Sequence, residues 1–178
     1  MQTIIKGFVV VLLCACGSTS LLADDYHEDE LSLSIEKITS DGRLTIGMHN
    51  ISKKDVHVWI GDCGWAWSNW RVLDVRNGET RLYAPDPRED FTMNYPQAAG
   101  IKPGQMRVEN LMISDKWEGG NVRTLTHIAG PKDTHPVIKD GDKIIVIYDV
   151  GWSAEATKFD AWLGLTEVSK DFQSAAKN

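Results

Sequence analysis

The sequence predicts a single all-β domain, an antiparallel β-sandwich, and three observations lead to this fold class. Apolar and polar residues alternate with a period of two in most segments after residue 30, as in strands with one buried face. Short clusters of Gly, Pro, Asn and Asp separate these segments. No segment of useful length has the apolar spacing of a helix. A closed β-barrel would give the same pattern and is the structural alternative.

The alternation is clearest in six segments. In the first of them, Leu31, Leu33 and Ile35 alternate with polar residues. The last segment is the most apolar and is therefore expected at the centre of a sheet. The predicted strands are residues 31–38, 43–50, 56–60, 70–75, 106–113 and 143–150. Weaker candidates are residues 80–83, 91–95, 122–128 and 161–168, the last as a strand or a short helix.

Two turns have residue types that specify their geometry. Asn77 and Gly78 form a pair that favours a tight two-residue hairpin. Pro103 and Gly104 stand at the centre of a second turn, where this order of residues fits type II. Residues 115–142 are the least regular part of the chain, so most of them are expected in loops.

The first 23 residues resemble an export signal. Lys6 precedes an apolar run over residues 7–15, which is too short to span a bilayer because that requires about 20 apolar residues. Cleavage after Ala23 would release a soluble periplasmic or secreted protein. Alternatively, residues 13–16 read Leu-Cys-Ala-Cys, which resembles a bacterial lipobox and predicts a lipid-anchored Cys16. We therefore expect an exported protein, held at the periplasmic face of a bacterial membrane if Cys16 is acylated.

One folded domain is expected after this segment, because 178 residues are too few for two comfortable domains. Residues 24–30 are acidic and predict a solvated linker. Residues 31–170 form the predicted β-sandwich, and residues 171–178 are expected to be a frayed tail.

Charge and cysteine content exclude two classes of protein. The formal net charge is −6, and such an acidic chain is poorly suited to neutralise the phosphates of a nucleic acid. Three Cys are too few for a disulfide-rich scaffold. After export, Cys63 would be the one thiol left beyond residue 23, and it is expected to be buried and inert.

The sequence lacks the spacing of a metal site or an active site. The five His residues are scattered, no two of them have a metal-ligand spacing, and neither a nucleotide-binding loop nor a nucleophile motif is present. Cys63 and His57 could form a thiol–base pair, and Asp86, Glu89 and Asp90 could hold calcium, but both are weaker interpretations than packing and solvation. We therefore expect no catalytic residue, no cofactor and no metal.

Tryptophan is concentrated between residues 59 and 70, which contain four of the seven Trp. In an extended loop, Trp65 and Trp67 would point the same way, and exposed Trp and Arg side chains are common at protein interfaces. The loop 61–69 is therefore the predicted recognition surface, unless its rings fill the core. The predicted binding residues are Asp62, Trp65, Trp67, Trp70 and Arg71.

Several of these pieces together resemble a group of bacterial immunoglobulin-like domains. They are Asn50 and Ser52 at a strand end, Val56 at the start of the next strand, and the turn at Pro103 and Gly104 before a further strand. The group includes intracellular proteinase inhibitors and a non-catalytic domain attached to some peptidases. The resemblance covers residues 31–113 and 141–150, and it implies an immunoglobulin-like sandwich and a binding role.

We therefore expect a non-catalytic binding protein of the cell envelope. Its partner would be another protein, such as a hydrolase or a toxin that it blocks, as an inhibitor or immunity protein does. The alternative is a module that binds carbohydrate or the cell envelope through the Trp-rich loop. No nucleic-acid partner is expected.

Overall fold

The structure is a computed structural model that describes residues 29–60, 64–86, 95–114, 123–131 and 138–174. Some predictions lie outside these residues. They are the export signal with its two processing sites, Cys16, most of the acidic linker, Asp62, Cys63, and the loop acids Glu89 and Asp90.

The described residues form ten strands and two short helices. The strands are β1 (Leu31–Ile38), β2 (Arg43–Asn50), β3 (Val56–Trp59), β4 (Trp70–Arg76), β5 (Glu79–Ala84), β6 (Ala98–Ile101), β7 (Met106–Ile113), β8 (Arg123–Ala129), β9 (Lys143–Val150) and β10 (Gly164–Asp171). The helices are α1 (Gly64–Trp67) and α2 (Ala154–Lys158). The all-β prediction is confirmed, and the six strands with clear alternation lie where the sequence predicted them.

Three elements escaped the sequence-based prediction, and one of them, α1, lies in the predicted loop and is described with the site. Strand β6 consists of Ala, Ala, Gly and Ile, so it has little of the alternation and bulk by which a strand is recognised. Helix α2 is a single turn that is too short to show a helical period. It begins because the Ser153 hydroxyl accepts a hydrogen bond from the Ala156 N–H at 2.9 Å, which satisfies one of the free N–H groups of the first turn.

Eight strands join in one mixed sheet with the order β1-β2-β7-β8-β5-β4-β9-β10, and β3 pairs with β6 in a separate sheet. All neighbours are antiparallel except β7 and β8, which run parallel with Leu111 opposite Arg123. The expectation of purely antiparallel pairing is thus wrong for one pair, because alternation along a strand carries no information about direction. The Lys170 ammonium donates to the Ile35 carbonyl at 2.9 Å, so the two outer strands meet and the sheet is nearly a barrel.

The core lies on the inner face of this sheet. Its side chains are the apolar ones that the alternation predicts to be buried. On β2, Leu44, Ile46 and Met48 are all buried. On β9, Ile144 and Val146 are fully buried in the same way. Burial of each such side chain contributes roughly 1.5–3 kcal/mol relative to its exposure to water.

Four charged side chains form a largely buried cluster, and they are Asp74, Arg76, Arg81 and Asp142. The Arg76 guanidinium donates from Nε to Asp142 Oδ1 at 2.8 Å and from Nη2 to Asp142 Oδ2 at 2.6 Å. Asp74 lies opposite Arg81 across the β4–β5 pair, and its carboxylate is 3.6 Å from Arg76 Nη2. Burial alone would raise the pKa of Asp142, but hydrogen bonds from Arg76 and from the Lys139 N–H outweigh it and hold the pKa below its ordinary value.

The C-terminal segment is ordered further than the sequence predicted. Strand β10 continues to Asp171, and Phe172 is only 5% exposed. The Phe172 N–H donates to the Asp142 carbonyl at 2.8 Å, and the Phe172 carbonyl accepts from the Gly141 N–H at 3.0 Å. The prediction of a frayed tail from residue 171 is therefore wrong for these residues, because Phe172 belongs to the core.

We expect Asp142→Asn to lower the free energy of unfolding by about 3 kcal/mol at pH 7, because Arg76 would lose the nearer of its two carboxylate partners in a buried site. A carboxylate with a lowered pKa stabilises the fold above its unfolded pKa of about 3.9, and this contribution is lost as the pH falls through the folded pKa. Between pH 7 and pH 3, the free energy of unfolding in urea should therefore fall less for the variant than for the unaltered protein.

The matched control for this experiment is Asp149→Asn, which changes an exposed carboxylate on β9. It should alter stability by no more than about 0.5 kcal/mol. Equal stability of Asp142→Asn and the unaltered protein across this pH range would contradict the assigned role of the cluster.

Candidate functional site

The predicted recognition loop is partly helical and mostly packed inward. Residues 64–67 form the helical turn α1, in which Trp65 and Trp67 point roughly 200° apart. The expectation that both rings point the same way from an extended loop is therefore wrong. Trp67 and Trp70 are buried, and Trp65 packs half-buried against the core.

The buried Trp rings belong to an aromatic cluster in the core. The ring centroids of Trp70 and Tyr148 are 4.6 Å apart, and Tyr148 stacks on Trp162 at 5.9 Å. Trp59 meets Phe159 edge-on at 5.8 Å. The high Trp content near residue 65 thus supplies packing between β3, β4, β9 and α2, and few of these rings are free to touch a partner.

Arg71 is occupied by its own backbone neighbourhood. Its guanidinium Nη1 donates to the Trp70 carbonyl at 2.9 Å and also to the Ser68 carbonyl. Asp62, the acidic residue predicted beside it, lies outside the described residues. The structure therefore does not gather the five predicted binding residues into one exposed surface, and their binding role stays a prediction.

A different feature has the shape of a site. A cleft of about 200 Å³ opens between β3, the turn before it and helix α2, and we call it the β3–α2 cleft. Its lining residues are Glu30, Lys54, Asp55, Val56, His57, Ala156, Thr157, Asp160, Ala161, Trp162 and Leu163.

Asn50 supports one wall of this cleft from the protein interior. Its side-chain amide is 99% buried and donates to the Lys54 carbonyl at 2.7 Å and to the Ile101 carbonyl at 2.6 Å. Its Oδ1 accepts from the Ser52 N–H at 2.9 Å and from the Ser52 hydroxyl at 2.7 Å. These four bonds use the full hydrogen-bonding capacity of the amide, and they fix the turn that carries Lys54 and Asp55.

Helix α2 and its C-terminal turn build the other wall. The Ala161 N–H donates back to the Ala156 carbonyl at 2.9 Å, which closes the helix as a Schellman-type turn does. This closure places Asp160 in the left-handed region with φ of 50°. The Trp162 N–H then donates to the His57 carbonyl at 2.7 Å and ties this turn to β3.

The charges of the cleft are mainly acidic. His57 Nδ1 is 3.3 Å from Asp160 Oδ2, with the His57 side chain 35% exposed and the Asp160 side chain 90% exposed. Lys54 Nζ lies 2.9 Å from Glu30 Oε1, and Asp55 is exposed beside them. Three carboxylates therefore face one Lys and one His, which suits the binding of a cationic group.

Sequence reasoning missed this site because its walls lie far apart in the chain. His57 was considered as a metal ligand and as a base for Cys63, which lies outside the described residues, and Asp160 was not considered. The available signal was local: Ser153 followed by Ala, Glu, Ala, Thr and Lys is typical of a capped helical turn. That signal predicts the helix but not its approach to β3.

Two kinds of feature are absent from the described part of the chain. Among those residues, no three His, Cys, Asp or Glu side chains come together as a metal site would require. Within the same residues, no helix has the length and apolar character needed to cross a membrane.

Comparison with known proteins gives no relative for this chain. No protein-family model matches it, and neither a curated protein nor a solved structure matches it.

We expect Asn50→Ala to lower the free energy of unfolding by about 3 kcal/mol. The change would leave the carbonyls of Lys54 and Ile101 without their buried donor, at a cost of about 1–3 kcal/mol each. The control Asn110→Ala removes an exposed amide from β7 and should cost less than about 0.5 kcal/mol. Urea unfolding measures both, and a loss below 1 kcal/mol for Asn50→Ala would contradict the role given to this amide.

A second pair of variants separates packing from recognition. Trp67→Ala should destabilise the fold by roughly 3–5 kcal/mol, because the ring is only 5% exposed. Trp152→Ala removes a ring that is 59% exposed and should leave the melting temperature nearly unchanged. If Trp67→Ala melted like the unaltered protein in calorimetry, the assignment of this ring to the core would be wrong.

Proposed function

We propose that this protein is an exported, non-catalytic binding protein that blocks another protein, and that the β3–α2 cleft receives a Lys or Arg side chain of that partner. The observation that carries the proposal is the Asp160 carboxylate, which is 90% exposed at the mouth of the cleft and 3.3 Å from His57. The proposal further takes the chain to be processed at Cys16 or after Ala23, as its N-terminal sequence predicts.

The backbone at Asp160 supports a role in binding. A non-Gly residue with φ of 50° is uncommon and costs free energy, although Asp tolerates this region better than most residues do. Such conformations cluster at sites of function. Here the conformation turns the chain out of α2 and leaves the carboxylate in the open, where an incoming guanidinium or ammonium group can reach it.

The charge balance supports a basic partner. Glu30, Asp55 and Asp160 line a cleft that contains one Lys, and the whole chain has a net charge of −6. Complementary charge raises the association rate with a basic partner and disfavours binding of acidic ones. A charge-assisted hydrogen bond to Asp160 would contribute about 1.5–3 kcal/mol to the complex.

The alternative function, carbohydrate binding by the Trp-rich loop, has less support. Stacking on a sugar requires an exposed ring face, and burial of Trp67 and Trp70 removes two of the three predicted platforms. The immunoglobulin-like resemblance agrees with a protein-binding role and remains part of the proposal, because a nearly closed mixed sheet does not distinguish that family from other all-β folds.

Titration of the ¹⁵N-labelled protein with N-acetyl-arginine amide tests the proposal. We expect backbone resonances of His57, Asp160 and Ala161 to shift in a saturable way. N-acetyl-citrulline amide has the same shape without the charge and should shift them little. Asp160→Asn should weaken binding of the arginine probe about 10-fold, since it removes the carboxylate and Asn accepts the same backbone conformation.

The control variant Asp149→Asn removes an exposed carboxylate outside the cleft and should bind the arginine probe as the unaltered protein does. Equal responses to arginine and citrulline, or equal affinity of Asp160→Asn and the unaltered protein, would overturn the proposal.

A further inference from the structure

A second pocket lies on the outer face of the sheet, near the turn that joins β1 to β2. It has a volume of about 200 Å³ and shares no lining residue with the β3–α2 cleft. Its polar lining residues are Lys37, Thr39, Arg43, Thr45 and Asn110. None of the described residues that line it is acidic, although the whole chain has a net charge of −6.

A β-bulge in β1 brings Lys37 to this pocket. Ile35 pairs with Ile46 and Lys37 pairs with Thr45, so Glu36 is an extra residue on the β1 side. Ile35 and Ile46 are buried in the core, whereas Thr45 occupies the outer face. Regular alternation after Ile35 would turn Lys37 towards the core, and the bulge redirects this side chain to the outer face.

The neighbouring strands complete a row of polar side chains across this face. Lys37 lies opposite Thr45 on β2, and Thr45 lies opposite Asn110 on β7. The Thr45 hydroxyl donates to Asn110 Oδ1 at 3.3 Å, so the amide oxygen is occupied and the amide N–H groups of Asn110 are left as donors. Arg43 precedes Thr45 by two residues on β2, and its side chain therefore shares the same face.

The carboxylates nearest to the pocket are engaged elsewhere. Asp41 Oδ2 accepts from Arg43 Nε at 3.1 Å, and Asp41 Oδ1 accepts from the Thr39 hydroxyl at 2.5 Å. Glu36 Oε1 accepts from the Ser34 hydroxyl at 2.5 Å. Neither Asp41 nor Glu36 lines the pocket, so the side chains that face its space are cationic or neutral.

The two cations of the pocket keep donors for a ligand. Within the described part of the chain, the Lys37 ammonium and the Nη groups of Arg43 have no hydrogen-bond partner. Both side chains are exposed, so an anion can reach them from solvent. Sites for drug-sized ligands have volumes of about 300–1,000 Å³, and this smaller pocket suits a small anionic group.

From this geometry we propose that the pocket binds a phosphate group through Lys37 Nζ, the Nη groups of Arg43 and the amide N–H groups of Asn110. A guanidinium matches two phosphate oxygens at once, and a Lys ammonium binds phosphate as a point charge. Free inorganic phosphate and the phosphate monoester of a small sugar offer the same oxygens to these donors.

Sequence reasoning missed this pocket because alternation along β1 does not reveal the bulge. The remaining donors come from two other strands, so no spacing along one segment marks them. Since the pocket and the β3–α2 cleft have no residue in common, either proposal can fail without the other.

Titration of the ¹⁵N-labelled protein with inorganic phosphate, at constant pH and ionic strength, tests this proposal. We expect saturable shifts of the backbone amides of Lys37 and Thr45, of the Arg43 Nε resonance and of the Asn110 side-chain amide. A parallel titration with glucose-1-phosphate separates the two sources of the group. Tighter binding than that of inorganic phosphate indicates a sugar phosphate, and equal or weaker binding indicates free phosphate.

Lys37→Gln and Arg43→Gln should each weaken phosphate binding by about 5-fold or more, since each removes a charge-assisted hydrogen bond. Lys37 is exposed, so Lys37→Gln should keep the melting temperature of the unaltered protein. The controls Lys53→Gln and Lys102→Gln remove exposed cations outside the pocket and should bind phosphate as the unaltered protein does. Absence of saturable shifts at these residues, unchanged affinity in Lys37→Gln, or an equal loss of affinity in the two controls would overturn the proposal.

Discussion

The buried amide of Asn50 is the contact on which the β3–α2 cleft depends. Its side chain joins the end of β2, the turn before β3 and strand β6 through four hydrogen bonds. Its backbone adds two more, to Gln105 and Gly104, and so fixes the turn before β7. Since a buried amide is costly unless all its groups are paired, these segments can adopt few other arrangements, and Lys54 and Asp55 are held at one wall.

The opposite wall depends on packing more than on hydrogen bonds. Trp59 packs edge-on against Phe159, and Trp162 stacks on Tyr148. These contacts hold α2 and the turn after it against the sheet. The hydrogen bond from the Trp162 N–H to the His57 carbonyl sets the distance between this turn and β3. Of the rings that the sequence marked as a recognition surface, Trp70 joins this packing through Tyr148, at a centroid distance of 4.6 Å, and so helps to support another site, at which Asp160 is exposed.

Local patterns in the sequence predicted every described strand except β6 and could not predict the site. The alternation of Leu31, Leu33 and Ile35 predicts a strand with one buried face, whatever the position of that strand in the sheet. The predicted bounds of β1 therefore agree with the structure. The burial of Trp67 and the approach of Asp160 to His57 depend on contacts between distant segments. The parallel direction of β7 and β8 and the burial of Phe172 also depend on contacts between distant segments. Neither can be predicted from a period of two in the sequence.

The most direct measurement of the central claim is the set of intermolecular nuclear Overhauser effects between N-acetyl-arginine amide and the protein. We predict contacts from the δ-methylene protons of the probe to the His57 ring and the Ala161 methyl group, because both line the cleft beside Asp160. Contacts confined to other acidic parts of the surface, or none at a saturating concentration of the probe, would contradict the assignment of the β3–α2 cleft as the binding site.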